Sequence, residues 1–188
     1  MNLQALFDAL LALVALGLAI RAGGARPAWR LSCLLLAMAA TLGALRFSGW
    51  MPLPTWHQFF SMLGAGVGLP LLAVAVIQPD SAVATQRRFA WIFAIVTGIL
   101  CVLLVMVAQL KVWTAVCALL SALGILVMSL KRQEKTAALG AGLLLLALMA
   151  FAVKLSLPPL MPGDLLHIGM ALGLLALAAG AYRVTTAR

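Results

Sequence analysis

The sequence predicts an all-α, polytopic membrane protein folded as a bundle of seven transmembrane helices. Three observations carry that prediction. Of the 188 residues, 65% are hydrophobic and 9% are charged, whereas a soluble domain carries about 25% charged residues. Apolar runs of about 20 residues recur along the whole chain, each long enough to cross a hydrocarbon layer ~30 Å thick. No long polar stretch is left over for a soluble domain, so residues 1–188 read as one membrane domain.

The first span covers 3–20. It ends in Arg21-Ala22-Gly23-Gly24-Ala25, which resembles the end of a signal peptide. A signal peptide begins with positive charge, however, and residues 1–20 contain no Lys or Arg and do contain Asp8. We therefore expect a retained helix. The second span, 29–45, follows the Gly23-Gly24 turn. Pro52 and Pro54 separate it from the third, 57–77, in which Gly64 and Gly68 form a G-x-x-x-G packing face and Pro70 should introduce a kink. Pro79-Asp80 precedes the fourth span, 89–108. A short Gln109-Leu110-Lys111 break leads to the fifth, 112–130; without it the two runs would make one helix too long for any bilayer. Lys131 to Lys135 separates the sixth span, 136–154, and a proline-rich stretch (Pro158-Pro159, Pro162-Gly163) leads to the seventh, 165–182.

Alternating spans divide the basic residues unequally. One side receives Arg21, Arg26, Arg30, Arg87, Arg88, Lys131, Arg132, Lys135, Arg183 and Arg188. The other receives only Arg46, Lys111 and Lys154. Lys and Arg near span ends resist translocation, so the rich side should be cytoplasmic. The chain is then expected to be a multi-pass protein of the cell (inner) membrane, N-terminus outside and C-terminus inside. The net charge of +9 is explained by topology and by anionic headgroups, and no nucleic-acid role is needed. Trp29, Trp50, Trp56, Trp91 and Trp113 all fall near span ends, where an amphipathic ring sits at headgroup level. Cys33, Cys101 and Cys117 lie in separate apolar runs without C-x-x-C spacing and read as buried small hydrophobes.

The layout is duplicated. A Leu/Ala-rich run leads to Arg46, the Pro52/Pro54 loop and His57. A second such run leads to Lys154, the Pro158/Pro159/Pro162 loop and His167. The ordered basic–proline–histidine series suggests a parallel three-plus-one-three repeat with the fourth span as connector. Parallel repeats of this kind build sites between their halves. The two histidines of the chain would then face each other across the repeat axis.

Ionisable groups at membrane depth are costly and face a partner or a cavity. Here they gather toward the outer side: Asp8 in span one, Arg46 closing span two, His57 opening span three, Lys154 closing span six, and Asp164 and His167 opening span seven. Asp164 and His167 are three apart and share a helix face, as do His57 and Ser61, four apart. Asp164 would serve as an N-cap, His57 as an interfacial residue, and Arg46 and Lys154 as snorkelling cations. Asp8 and His167 have no such structural explanation. Asp80 and Glu134, on the basic side, read as solvated loop residues.

Seven spans, an outer N-terminus, and Asp164-Leu165-Leu166-His167 heading the last span resemble the CREST superfamily of alkaline ceramidases and progestin/adiponectin-type receptors. The resemblance implies a metal-dependent lipid hydrolase. His57 and His167 would be zinc ligands, Asp164 or Asp8 would complete the metal set, and Asp8, Asp164 and Ser61 would be the catalytic groups. The chain departs from that family in two respects. Gly163 stands where the last-span H-x-x-x-H would place its first histidine. His57 opens the third span with Ser61 after it, whereas the family carries that histidine in the second span with a serine before it.

Two other classes fit the residues. A binding module or accessory subunit would receive a lipid headgroup, quinone or partner subunit, or a second copy of the chain, at the polar mouth. Arg46 and Lys154 would then bind an anion, and paired histidines would be able to ligate a haem iron. A proton-linked transporter of the parallel-repeat type would use Asp8 and His167 as its titrating pair. Microbial rhodopsins are excluded, because 165–182 contains no lysine for a retinal Schiff base.

Overall fold

The computed structural model describes residues 2–186. Among them, seven helices are long and apolar enough to cross a membrane. These are α1 (Leu3–Ala22), α2 (Pro27–Phe47), α3 (Pro54–Ile77), α4 (Arg87–Val107), α5 (Val112–Lys131), α6 (Lys135–Ala152) and α7 (Pro162–Thr186). A one-turn helix, Ala82–Thr85, lies between α3 and α4. The protein is an all-α, multi-pass membrane protein. Arg188 lies outside the described residues, as does the side chain of Arg183.

Local chemistry explains most helix ends. Asn2 caps α1 by accepting from the Gln4 amide at 3.1 Å, and its own Nδ2 donates to the Phe47 carbonyl at 3.1 Å. That bond ties the start of α1 to the end of α2. Pro27, Pro54 and Pro162 each occupy a first helical position, where a missing N–H costs nothing. The break between α4 and α5 is formed by Gln109, whose φ of 57° stops the helix. Pro70 acts on α3 as its geometry requires. It has no N–H, and its ring crowds the carbonyl four residues back, so the preceding turn, Gly64–Gly68, widens into a π-turn closed by Leu69 N–H to Gly64 O. The α6 helix ends at Ala152, short of the expected 154. Lys154 adopts a φ of 55° in the turn that follows.

Six helices close a ring. Going round it, α1 packs on α2, α2 on α3, α3 on α5, α5 on α6, α6 on α7, and α7 returns to α1. The least buried helix, α4, lies outside this ring against α2 and α3. Exchanging α1–α3 with α5–α7 maps every neighbour pair of the ring onto another, which is the pattern a three-plus-one-three repeat requires. Heptad-like spacing supplies the inward faces. Asp8, Leu11, Ala15, Leu18 and Ala22 form one buried stripe, and Asp164, Met170, Leu174 and Leu177 form another. Each stripe therefore begins with an acid.

Gly64 and Gly68 pack against α2 as expected, a Cβ on Gly68 lying 3.6 Å from the Ser32 carbonyl oxygen, and a closer helix contact lies between α6 and α7. A Cβ on Gly140 would lie 2.7 Å from the Gly173 carbonyl oxygen, whereas one on Gly64 would meet Leu36 at 3.3 Å. Two bare backbones meet at that crossing, so no side chain can give way. One expectation is corrected: Trp29 lies near a span end but does not turn its ring outward to headgroups. It is 2% exposed and faces the bundle interior, while Trp50, Trp56 and Trp91 are exposed as expected.

Candidate functional site

Asp8 sits at a core position of α1, about five residues and roughly 7 Å into the helix at 1.5 Å per residue. It is wholly buried. The neighbouring α2 makes room for it with Gly43: a Cβ there would lie 2.6–2.8 Å from the three carboxyl atoms of Asp8. Only a residue without a side chain lets the carboxyl lie flat on that helix. From α7, His167 Nδ1 approaches Asp8 Oδ1 to 3.2 Å. The approach is not aligned as a hydrogen bond, and both Asp8 oxygens lack a hydrogen-bond partner among the described residues. Burying an unsatisfied carboxyl costs several kcal/mol if ionised, by the order of magnitude of ion desolvation. Such a group costs the fold stability rather than supporting it.

Across the ring, α3 supplies His57 and Ser61. His57 is half-buried, with Nδ1 3.1 Å from the Ala39 carbonyl oxygen of α2. A carbonyl can only accept, so Nδ1 carries the proton and a neutral ring presents Nε2 as an acceptor. Phe47 packs edge-on to the same ring, with centroids 5.8 Å apart. Asp8, His57, Ser61 and His167 all line one cavity of about 110 Å³, closed by Leu11, Leu36, Leu69, Leu148 and Met170. The two histidines are close enough for their charges to interact.

Asp164 stands one turn before His167 and is 1% exposed. It is not the N-cap of α7. Met161 holds that place, and Asp164, at the third helical position, accepts from the Met161 amide at 2.8 Å through Oδ2. That is the returning half of a capping box. Its Oδ1 has no described hydrogen-bond partner, and its charge acts on Asp8. The two cations lie apart from the cavity. Arg46 stacks over Phe47, 5.1 Å from the ring centroid, and Lys154 is exposed in the turn after α6.

The expected zinc set does not assemble. Among the described residues no three His, Cys, Asp or Glu side chains converge as a metal site requires. Haem fares no better, since small-molecule pockets run to roughly 300–1,000 Å³ and the space between the histidines is about 110 Å³.

Sequence reasoning missed two features. Gly43 carries the notch for Asp8, and one glycine in a Leu/Ala-rich span carries no signal of what it faces. The opposite end of the bundle also holds a cavity of about 240 Å³, lined by Trp29 and by Asp80 and Glu134, which had read as solvated loop residues. Between the cavities lies a solid apolar core that includes Ala15, Leu18, Leu72, Ile125 and Leu174.

No curated protein matches this chain, and no solved structure matches it. The family model described as "Family of unknown function (DUF6962)" matches residues 3–186, almost the whole length, and the chain belongs to that family.

Proposed function

We propose that this protein is a proton-linked carrier of a small solute, with Asp8 and His167 as the proton-binding pair. The observation that carries the reading is a fully buried carboxyl, 3.2 Å from an imidazole, at the centre of a six-helix ring. A group kept there without a hydrogen-bond partner gives up stability, and proton exchange between acid and imidazole is what that arrangement can do. Volume supports it. About 110 Å³ holds a few water-sized groups but not a lipid headgroup, quinone or macrocycle. The ring supports it too, since its two three-helix halves exchange with one another, the arrangement on which parallel-repeat carriers are built. The π-turn ahead of Pro70 would serve as the hinge in α3. By the ten-to-three division of Lys and Arg, the Asp8 end faces outward, with the N-terminus outside and the C-terminus in the cytoplasm.

The test is uptake into proteoliposomes carrying an internal pH dye, challenged in turn with ammonium, glycine and the smallest monocarboxylates, formate and acetate. At least one solute should enter with protons, and Asp8→Asn should abolish the proton movement while leaving the protein folded. Uptake that Asp8→Asn leaves unchanged would remove the pair from the mechanism.

One observation favours a second reading, a metal-free hydrolase in place of the CREST-type zinc enzyme. Asp8 faces Nδ1 of His167, which leaves Nε2 available, and Ser61 lines the same cavity. That is the order of groups in an acid–imidazole–serine nucleophile system. A fluorophosphonate probe should then label Ser61, and His167→Ala should prevent it. An unlabelled protein rules this reading out.

A further inference from the structure

We propose that the apolar groove between α2, α3 and α4 seats an acyl chain of an anionic phospholipid, whose headgroup is held by Arg30 and Arg87 at the basic end of the bundle. The groove has a volume of about 580 Å³, larger than either cavity described above. Leu31 and Leu34 of α2, Phe59 and Val67 of α3, and Trp91 and Leu103 of α4 mark its extent. Apart from the Trp91 indole N–H, its lining carries no polar side-chain group. The inference is independent of the carrier reading.

Three features select the occupant. The first is charge. Arg87 and Arg88 open α4, and Arg30 lies at the start of α2. Ala28 and Ala90 are buried in one cluster, so the two helices begin at the same end of the bundle. A helix N-terminus carries partial positive charge and favours anions, yet neither start has an acidic residue in its first turn or a side-chain cap. Among the described residues no acid pairs with these three arginines, and residues 181–188 contain no Asp or Glu. Arginines and helix ends therefore add to one positive potential, which an anionic headgroup would neutralise. The second is register. Arg87 precedes Trp91 by four residues and Arg30 precedes Leu34 by four, so each arginine shares a helix face with a residue lining the groove. The third is size. From Trp91 to Leu103 the groove runs roughly 18 Å at 1.5 Å per residue, close to the ~15 Å depth of one leaflet. A helix of that length and ~10 Å diameter would fill roughly 1,400 Å³, well over the 580 Å³ present. The groove takes a chain and is too small for a partner helix. A lipid there lies in the seam of α4, the least buried helix, and fastens it to the ring.

The experiment uses purified full-length protein. It is reconstituted into nanodiscs of phosphatidylglycerol and phosphatidylethanolamine in equal parts with matched chains, released into detergent, washed, and weighed by native mass spectrometry. The parent should retain phosphatidylglycerol about tenfold over phosphatidylethanolamine. Gly98→Leu fills the groove. Gly98 lines it, and a Cβ there meets only Val67, at 4.0 Å, so the added side chain occupies the groove and leaves the core alone. Retained lipid should fall about tenfold. Arg30→Gln/Arg87→Gln should bring the two lipids to about equal retention. Both arginines are exposed, so this variant keeps the test valid if Gly98→Leu fails to fold. Equal retention of the two lipids by the parent, or no retained lipid, overturns the proposal. Phosphatidylglycerol that survives Gly98→Leu is adventitious boundary lipid and also overturns it, as does an unchanged preference in the arginine variant. A mass of two chains without lipid overturns it as well and makes a second copy the occupant.

Discussion

Gly43 is where the geometry of the Asp8 site can be tested most directly. A Cβ added there would stand 2.6, 2.7 and 2.8 Å from Oδ1, Cγ and Oδ2 of Asp8. To restore ordinary contact the carboxyl must retreat by roughly 0.9 Å at its nearest atom, judged against the ~3.5 Å at which such atoms pack. Asp8 is fully enclosed, so it can retreat only by changing rotamer, which abandons the approach to His167, or by pushing α1 from α2. Overpacking of this kind costs about 1–3 kcal/mol. The helix propensity that alanine gains over glycine, up to ~1 kcal/mol, offsets part of it. We therefore expect Gly43→Ala to lower unfolding stability by about 1–2 kcal/mol, measured by reversible detergent-denaturant titration. The decisive measurement is the double-mutant cycle with Asp8→Ala, which removes the clashing atoms. In that background the cost should vanish, giving a coupling energy of ~1–3 kcal/mol. If Gly43→Ala is harmless, or costs as much without Asp8 as with it, Asp8 does not rest on Gly43 and the site is misdrawn.

The remaining expectations follow from the same contacts. Asp8→Asn should be at least as stable as the parent, because it removes a buried, unsatisfied carboxyl; a loss above ~1 kcal/mol would make Asp8 a structural group. Gly140→Ala should cost about 1–3 kcal/mol, because its Cβ meets backbone atoms of Gly173 and Leu177 at 2.7 Å. Gly142→Ala, with nothing within 4 Å, should be neutral or slightly stabilising, and equal effects at the two positions would refute the α6–α7 crossing. Arg132→Gln should speed amide exchange at the α3 C-terminal turn by withdrawing two donors from the Val76 and Ile77 carbonyls; unchanged exchange would show that the cap contributes nothing. Washed protein should retain zinc well below one ion per chain, and stoichiometric zinc lost in a His57→Ala/His167→Ala variant would reinstate the metal site.

Legibility differed between the bundle and the site. Asp8 and His167 stood out in the sequence because an ionisable group inside an apolar run has no structural excuse, and Ser61 and His57 followed from helix spacing. Lys154 did not belong with them. Hydropathy placed it inside the sixth span, but the helix stops at Ala152 and turns its chain outward. Arg46 does not line the cavity; it stacks on Phe47, which meets His57 edge-on, and its charge acts on His57. Asp80 and Glu134 are loop residues open to solvent, as expected, and only the convergence of the turns beside Trp29 shows that they border a cavity.

Alone, the sequence determined that the chain carries seven helices long and apolar enough to cross a membrane and, to within a few residues, where each of them lies. Those properties are local: a backbone in hydrocarbon must satisfy its own hydrogen bonds as helix, and proline and charge mark the stops. Only the tertiary structure decided which polar groups meet. Asp8 and His167 lie near opposite ends of the chain and touch because α1 and α7 close the ring. Gly43 opposes Asp8 because of how α1 rotates against α2. Helix rotation and neighbour order depend on the packing of all seven helices together, and a single span carries no record of them.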